Sequence, residues 1–294
     1  MPSHAPQPPV RLGLAMWSHN HWRDSLYGSG CKSGERLAKY AEIFHTVEGN
    51  TTFYATPSIS TVQKWHDATD DHFRFTFKLP QAITHQQQLM HCDQLLANFF
   101  STMAPLEHKI GLWKIQLPAQ FSPMALPALA KFLARLPPHY PVGVEVRHPA
   151  FFAKGHDEQM LNRLLVEHGA NRIIMDSRPV FSAPPTTEAV IEAHRNKPHV
   201  PVHAIATASH PMIRFIGHPD EASNDAFFNN WLTQLPQWLD EGKQPYLFIH
   251  TPDNNLAPEL AVRLYQQLQQ HIKQHPLPDV CLPRAEQSPQ FELL

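Results

Sequence analysis

The sequence predicts a single α/β barrel of eight parallel strands, and three observations carry that expectation. Apolar or alternating runs of strand length recur along the 294 residues, amphipathic helical stretches lie between them, and the repeats number eight. Strands that alternate with helices predict a parallel sheet, because each connection must cross back over one face of it. Eight such repeats over roughly 250 residues predict closure into a (β/α)8 barrel of TIM type.

In chain order, residues 1–9 form a Pro-rich arm, 10–282 the barrel domain and 283–294 a C-terminal tail. The strand candidates are Val10–Met16, Thr46–Asn50, Phe73–Leu79, Ile110–Leu117, Val142–Arg147, Arg172–Ser177, Ile213–Gly217 and Tyr246–His250. The helical candidates between and after them are Gly34–Phe44, Ile59–Ala68, Cys92–Met103, Met124–Leu136, Glu158–His168, Phe227–Asp240 and Pro258–His271. Residues 178–212, rich in Pro and His, read as an irregular insertion with a short helix around Glu188–Arg195. Val202–Ala206 is either an extra strand there or the true seventh strand.

An open doubly wound sheet is the rival architecture, and it usually places a glycine-rich phosphate loop after its first strand. Here that strand runs into Trp17-Ser18-His19-Asn20-His21-Trp22. The later Gly28-Ser29-Gly30-Cys31-Lys32-Ser33 lacks the required order of Gly, Lys and Ser/Thr.

Composition narrows the function. With 24 Lys and Arg against 26 Asp and Glu, the net charge is −2. Bulk electrostatics therefore recruit neither a polyanion nor an anionic membrane. Nucleic-acid binding is disfavoured, since it rests on many cation–phosphate contacts. Three scattered cysteines fit a reducing compartment and argue against a disulfide framework. No apolar run approaches the ~18 residues of a membrane span, and the N-terminus has no signal-peptide pattern. The expectation is a soluble cytoplasmic protein. Cys31 lacks an identifiable base and reads as an ordinary cysteine. His19 and His21 read as solvated loop residues, and there is no G-x-S-x-G nucleophile elbow.

Barrel enzymes carry their sites at the C-terminal ends of the strands. Polar residues gather there: Glu48 and Asn50, Thr76 and Lys78, Lys114 and Gln116, Glu145 and Arg147, Asp176 and Arg178, then Arg214 and His250. The apolar residues between them, such as Val47, Phe77 and Ile249, suit the helix-facing side, because strand side chains alternate. We read a ligand pocket in which Lys78, Arg147, Arg178 and Arg214 hold a phosphate or carboxylate. Asn50 and Gln116 orient the ligand, and Trp17, Trp22, Phe53 and Tyr54 supply an apolar wall. Glu48, Glu145, Asp176 and His250 are the candidate catalytic groups, as general acids and bases. Chemistry of this kind belongs to a hydrolase, lyase or isomerase, and whether the protein is an enzyme stays open. The plainer alternative is a structural lattice of ion pairs, with Glu145–Arg147 and Asp176–Arg178 neutralising one another. A divalent metal on the three carboxylates and His250 is also open as a cofactor, although a basic residue follows two of the carboxylates at a spacing of two. Further alternatives are a nucleic-acid binder that stacks bases at the mouth and a non-catalytic scaffold for a protein partner. The oligomeric state is not legible.

Longer motifs add a resemblance. Val47-Glu48-Gly49-Asn50-Thr51-Thr52-Phe53-Tyr54, Phe73-Arg74-Phe75-Thr76-Phe77-Lys78-Leu79-Pro80 and Ile83-Thr84-His85 resemble the YecE-like family, domain of unknown function 72. So do Gln116-Leu117-Pro118-Ala119-Gln120-Phe121, Gly143-Val144-Glu145-Val146-Arg147-His148, Asp176-Ser177-Arg178-Pro179, Arg214-Phe215-Ile216-Gly217 and Phe248-Ile249-His250-Thr251-Pro252-Asp253. The resemblance extends from about Leu12 to about Leu268 and implies a TIM-type barrel without implying an activity. Its barrel is similar to those of sugar-isomerase and endonuclease-IV-like enzymes, a fold-level analogy that keeps sugar or phosphodiester chemistry in view. Many family members have an Asn-rich end to the last strand. Here His250-Thr251-Pro252-Asp253 stands in that place, with Asn254-Asn255 downstream.

Overall fold

The computed structural model describes residues 7–28 and 30–283. Apart from residues 7–9 and 283, the expected arm and tail lie outside the described residues. Eight parallel strands close into one barrel in sequence order. They are β1 Arg11–Leu14, β2 Thr46–Gly49, β3 Arg74–Lys78, β4 Ile110–Gln116, β5 Val142–Glu145, β6 Asn171–Asp176, β7 Met212–Ile216 and β8 Tyr246–His250. The helices are α1 Arg36–Ala41, α2 Ile59–Asp67, α3 Asp93–Met103, α4 Leu126–Leu133, α5 His156–Glu167, α6 Arg178–Ser182, α7 Glu188–Asn196, α8 Asp225–Asp240 and α9 Ala257–His271. The expected TIM-type barrel is therefore present, and no helix of the described residues is long and apolar enough to cross a membrane.

Strand alternation divides the apolar residues into two cores. The larger one lies between strands and helices and takes in Val47, Phe75, Phe77, Ile115, Phe215 and Ile249. The smaller one fills the lower barrel with Leu112, Ile173, Met212, Tyr246 and Phe248. Two residues further along β4, β7 and β8 come Lys114, Arg214 and His250. The pleat repeats every two residues, so these three rise directly above the apolar plug on the same inward face. The strands thus carry polar groups into the upper barrel by simple alternation.

Two glycines permit this geometry. A Cβ on Gly13 would lie 2.3 Å from the Thr46 carbonyl oxygen, so β1 approaches β2 only without a side chain there. The register between β3 and β4 slips at Phe75/Thr76 and skips Gly111. A Cβ on Gly111 would lie 2.4 Å from the Tyr246 hydroxyl.

The long connection between β6 and β7 contains α6 and α7, one helix more than the sequence suggests, and then runs without regular structure to β7. Val202–Ala206 forms no strand. Side chains take over the pairing role: the Arg172 N–H donates to Thr207 Oγ1 at 2.8 Å, and that hydroxyl donates to the Ala170 carbonyl at 2.7 Å. His203 Nδ1 lies 2.5 Å from Glu158 Oε1 on α5. The Ser177 hydroxyl donates to the Pro198 carbonyl at 2.7 Å. These bonds fix the segment that carries Lys197 towards the barrel mouth.

Candidate functional site

A continuous network of charges occupies the upper barrel. Arg214 stands at its centre. Its Nη1 donates to Glu145 Oε2 at 2.8 Å and its Nη2 to Glu48 Oε2 at 3.1 Å, and its Nε is 2.6 Å from Glu48 Oε1. Lys114 donates to the same carboxylate of Glu48. Arg147 Nε and Nη2 donate to Glu145 Oε1 at 3.0 and 2.7 Å. Glu48, Glu145, Lys114 and Arg214 are all buried, and Arg147 is partly open to solvent. His250 Nε2 stands 3.4 Å from Glu48 Oε2, too far for a good hydrogen bond.

The electrostatics follow from this packing. Burial alone would raise the Glu48 carboxyl, but Arg214 and Lys114 hold it well below the ordinary range. Glu145 is likewise held down by Arg214 and Arg147 against its burial. Burial pushes the Lys114 ammonium down to about 8 despite Glu48. Burial also holds His250 well below its ordinary value, and Arg214, Lys197 and Lys114 reinforce it, so the imidazole is neutral near pH 7. Both glutamates are therefore firm anions, poorly suited to give up a proton.

Lys78 and Lys197 complete the set. Lys78 ends β3 in register with Lys114, and its Nζ lies 5.4 Å from the centre of the Phe53 ring. It forms no ion pair or side-chain hydrogen bond with any described residue. Lys197 follows α7, and its ammonium is pushed down to about 8, first by burial and then by Arg214. Among the described residues, five cationic side chains thus share this end of the barrel with two carboxylates. Gln116 Oε1, Asn50 Oδ1 and His250 Nε2 are among the polar atoms buried without a hydrogen-bond partner. Asn50 is oriented by its Nδ2, which donates to the Ala15 carbonyl at 2.8 Å.

Several of the expected site residues lie apart from this network. Asp176 and Arg178 do not join the network. The inward positions of β6 are Ile173 and Met175, in register with Met212 and Arg214, so Asp176 pairs in register with outward-facing Phe215. There Asp176 accepts from Arg178 Nε at 2.9 Å, Arg178 Nη2 at 2.7 Å and Trp231 Nε1 at 2.9 Å. The expectation that Asp176 and Arg178 reach the pocket is corrected by one residue of alternation. Trp17 also turns outward, packing edge-on against Trp65 at 5.3 Å and Phe75 at 6.4 Å. Tyr54 is largely exposed, edge-on to Phe53. Of the expected apolar wall, Phe53 is the member that meets the charges, while Trp22 is buried with its Nε1 bonded to the Asn254 carbonyl. Because Asp176 faces the helices and Arg214 bridges the two glutamates, the metal alternative loses its ligand set. No group of three or more His, Cys, Asp and Glu among the described residues is arranged to hold a metal ion.

Sequence reasoning missed Lys197, which lies in the irregular connection and has no strand periodicity to announce it. It also passed over His85, whose ring is 5.1 Å from Phe53 and which feels the charges of Arg147, Lys78 and Glu145. A groove of about 580 Å³ runs beside the mouth, lined by residues including Thr84, Met90, Phe121 and Met124, and it contains none of the charged network.

The profile of the family described as "Protein of unknown function DUF72" matches residues 11–286. The chain belongs to this family. Among DUF72 relatives, it is 49% identical to the UPF0759 protein YecE of Escherichia coli over 263 residues, covering 90% of this chain and 94% of the relative. It is 26% identical to the UPF0759 protein YunF of Bacillus subtilis over 165 residues, 54% of this chain and 57% of YunF. A DUF72 crystal structure from Thermotoga maritima superposes with a TM-score of 0.67 at 20% identity, covering 88% of this chain and 98% of that one. One from Enterococcus faecalis gives 0.64 at 20% identity, covering 88% and 97%. These structures support the DUF72 barrel as a fold.

Proposed function

We propose that the protein binds a small, hydroxyl-bearing anion at the C-terminal mouth of its barrel. The observation that carries this reading is the gathering of five basic side chains around two carboxylates at this end of the barrel, three of them, Arg147, Lys78 and Lys197, only partly buried. A purely structural lattice would gain nothing from the excess, since each unmatched buried charge adds a desolvation cost. A bound phosphate or carboxylate would offset it, with Arg147, Lys78 and Lys197 as the groups that retain donors to give. The buried acceptors Gln116 Oε1 and Asn50 Oδ1 favour a ligand that also brings hydroxyl donors. If chemistry follows binding, the firmly ionised Glu48 and Glu145 would orient charge, and neutral His250 would be the group able to take a proton.

Calorimetry with inorganic phosphate and with glycerol phosphate tests this. Both are expected to bind, the polyol ester more tightly. Arg147→Ala and Lys197→Ala should each weaken both by about tenfold, the scale of a lost charged hydrogen bond. Gln116→Leu should weaken glycerol phosphate alone. Absence of binding to either anion, or binding indifferent to both cation variants, would overturn the reading.

A further inference from the structure

We propose that Lys78 is a carbonyl-capturing amine, whose Nζ condenses with an aldehyde or ketone group on the anionic ligand to form an imine. This rests on the anion-binding reading above and adds to it a ligand class, a carbonyl-bearing anion, and a covalent step.

An amine that captures carbonyls must keep its lone pair free, face the ligand space and sit on a rigid element. The cations of the mouth differ sharply by these criteria. Lys114 is fully buried and bonded to Glu48. Arg147 and Arg214 are engaged with carboxylates, and a guanidinium does not lose its proton in this range. Lys197 caps the C-terminal end of α7, where regular structure gives out. Lys78 alone combines a strand-end position, partial exposure and an Nζ without a hydrogen-bond or ion-pair partner among the described residues. One side of that amine is the face of Phe53, which offers a cation–π attraction but no carboxylate or carbonyl to hold its protons.

The surroundings also favour the free amine. Burial, then Arg214 and Lys114, push the Lys78 ammonium well below its ordinary value, and the more weakly felt Glu145 and Glu48 oppose them. Desolvation and a neighbouring cation are the two ways in which enzymes activate lysine amines. In the step itself, the neutral amine attacks the carbonyl carbon and the π electrons pass to oxygen, giving a carbinolamine after proton transfer. Loss of the hydroxyl with the remaining N–H proton releases water and leaves the C=N bond. Carbon and nitrogen undergo no net redox change, and no co-reactant is needed. Arg147 and Lys197 would hold the carboxylate or phosphate end.

The test uses the full chain with glyoxylate, an anionic aldehyde, and sodium borohydride, whose hydride reduces the imine to a stable secondary amine. Peptide mapping locates the adduct, and calorimetry with inorganic phosphate is run in parallel. The adduct is expected on Lys78 at least about tenfold faster than on an exposed lysine such as Lys39, since the bound anion would hold the aldehyde beside that amine. Inorganic phosphate should compete, and Lys78→Arg should abolish the adduct while the thermal unfolding curve shows the fold intact. Labelling spread evenly over surface lysines, or centred on Lys197, would overturn the proposal. Phosphate binding without any adduct would overturn it while leaving the anion site standing. Absence of phosphate binding as well would remove the anion site and the inference with it.

Discussion

At the scale of single residues, the consequential fact is how few of the charges are interchangeable. Glu48 is held by Lys114 and Arg214 at once, so Glu48→Gln strands the buried Lys114 and leaves Arg214 with Glu145 alone. A loss of about 3–5 kcal/mol in chemical denaturation is expected, the usual result of breaking a buried pair. The folded Glu48 carboxyl titrates well below its ordinary 4.5. Its contribution is therefore complete above that pH and is lost as the pH falls below it. Unfolding curves of the wild type should show acid destabilisation that the Gln variant shows less. On the alkaline side Lys197 and Lys114 are both held at about 8, and Lys197 is the one with no carboxylate bonded to it among the described residues. Its ammonium is at about 8 in the free protein, facing Arg214, Glu48, Glu145 and Arg147. A bound anion would raise that value, so affinity is full below pH 8 and declines above it, by up to about tenfold per pH unit. Glycerol phosphate, whose second proton leaves at about pH 6, is already a dianion there, so calorimetry with it between pH 7.5 and 9.5, roughly spanning that titration, reports the protein. Lys197→Arg should flatten the decline, and a profile that is flat in the wild type would contradict the assignment.

At the scale of elements, β6 is the informative exception. Its inward positions supply Ile173 and Met175 in place of charge, and its terminal carboxylate clamps the start of α6 and the side of α8. Asp176→Ala leaves Trp231 Nε1 and Arg178 without their acceptor. Stability should fall by roughly 1–3 kcal/mol, while phosphate affinity at the mouth stays within error of the wild type. A variant that lost anion binding at unchanged stability would return Asp176 to the site. The connection after α7 makes the opposite point. It has no ladder of its own, and the bonds from His203, Thr207 and Ser177 hold it down, which is how an irregular segment delivers Lys197.

At the scale of the molecule, closure of the barrel and placement of the site are one event. The chain carries a net charge of −2, so the excess of cations at the mouth is local. A small anion can meet it in full, whereas a long polyanion would also run over the remainder of the chain, whose charge is net negative. Closure depends on the close approach of β1 and β2. Gly13→Ala places a methyl against the Thr46 carbonyl at a distance no real contact reaches. It should cost about 1–3 kcal/mol or more in chemical denaturation, as overpacking does, and should weaken phosphate binding by displacing Glu48 two residues along β2. A stability equal to that of the wild type would show that the barrel seam tolerates expansion.

The sequence by itself determined the barrel and most of the mouth, because both follow from periodicity. Strand runs alternating with helical runs require a parallel sheet, and a polar residue two positions beyond an apolar plug residue must share its face, as Lys114, Arg214 and His250 do. Three matters were left to the tertiary structure. The phase of β6 decided that Asp176 faces the helices, and a one-residue phase difference is invisible in a short apolar run flanked by polar residues. The bridging of Glu48 and Glu145 by Arg214 came from the far side of the closed barrel, between residues 166 and 69 positions apart in the chain. Lys197 reached the mouth through side-chain bonds of an irregular connection, for which no periodic pattern exists. Local order is written in spacing along the chain, whereas charge pairing across a barrel depends on where closure brings distant residues.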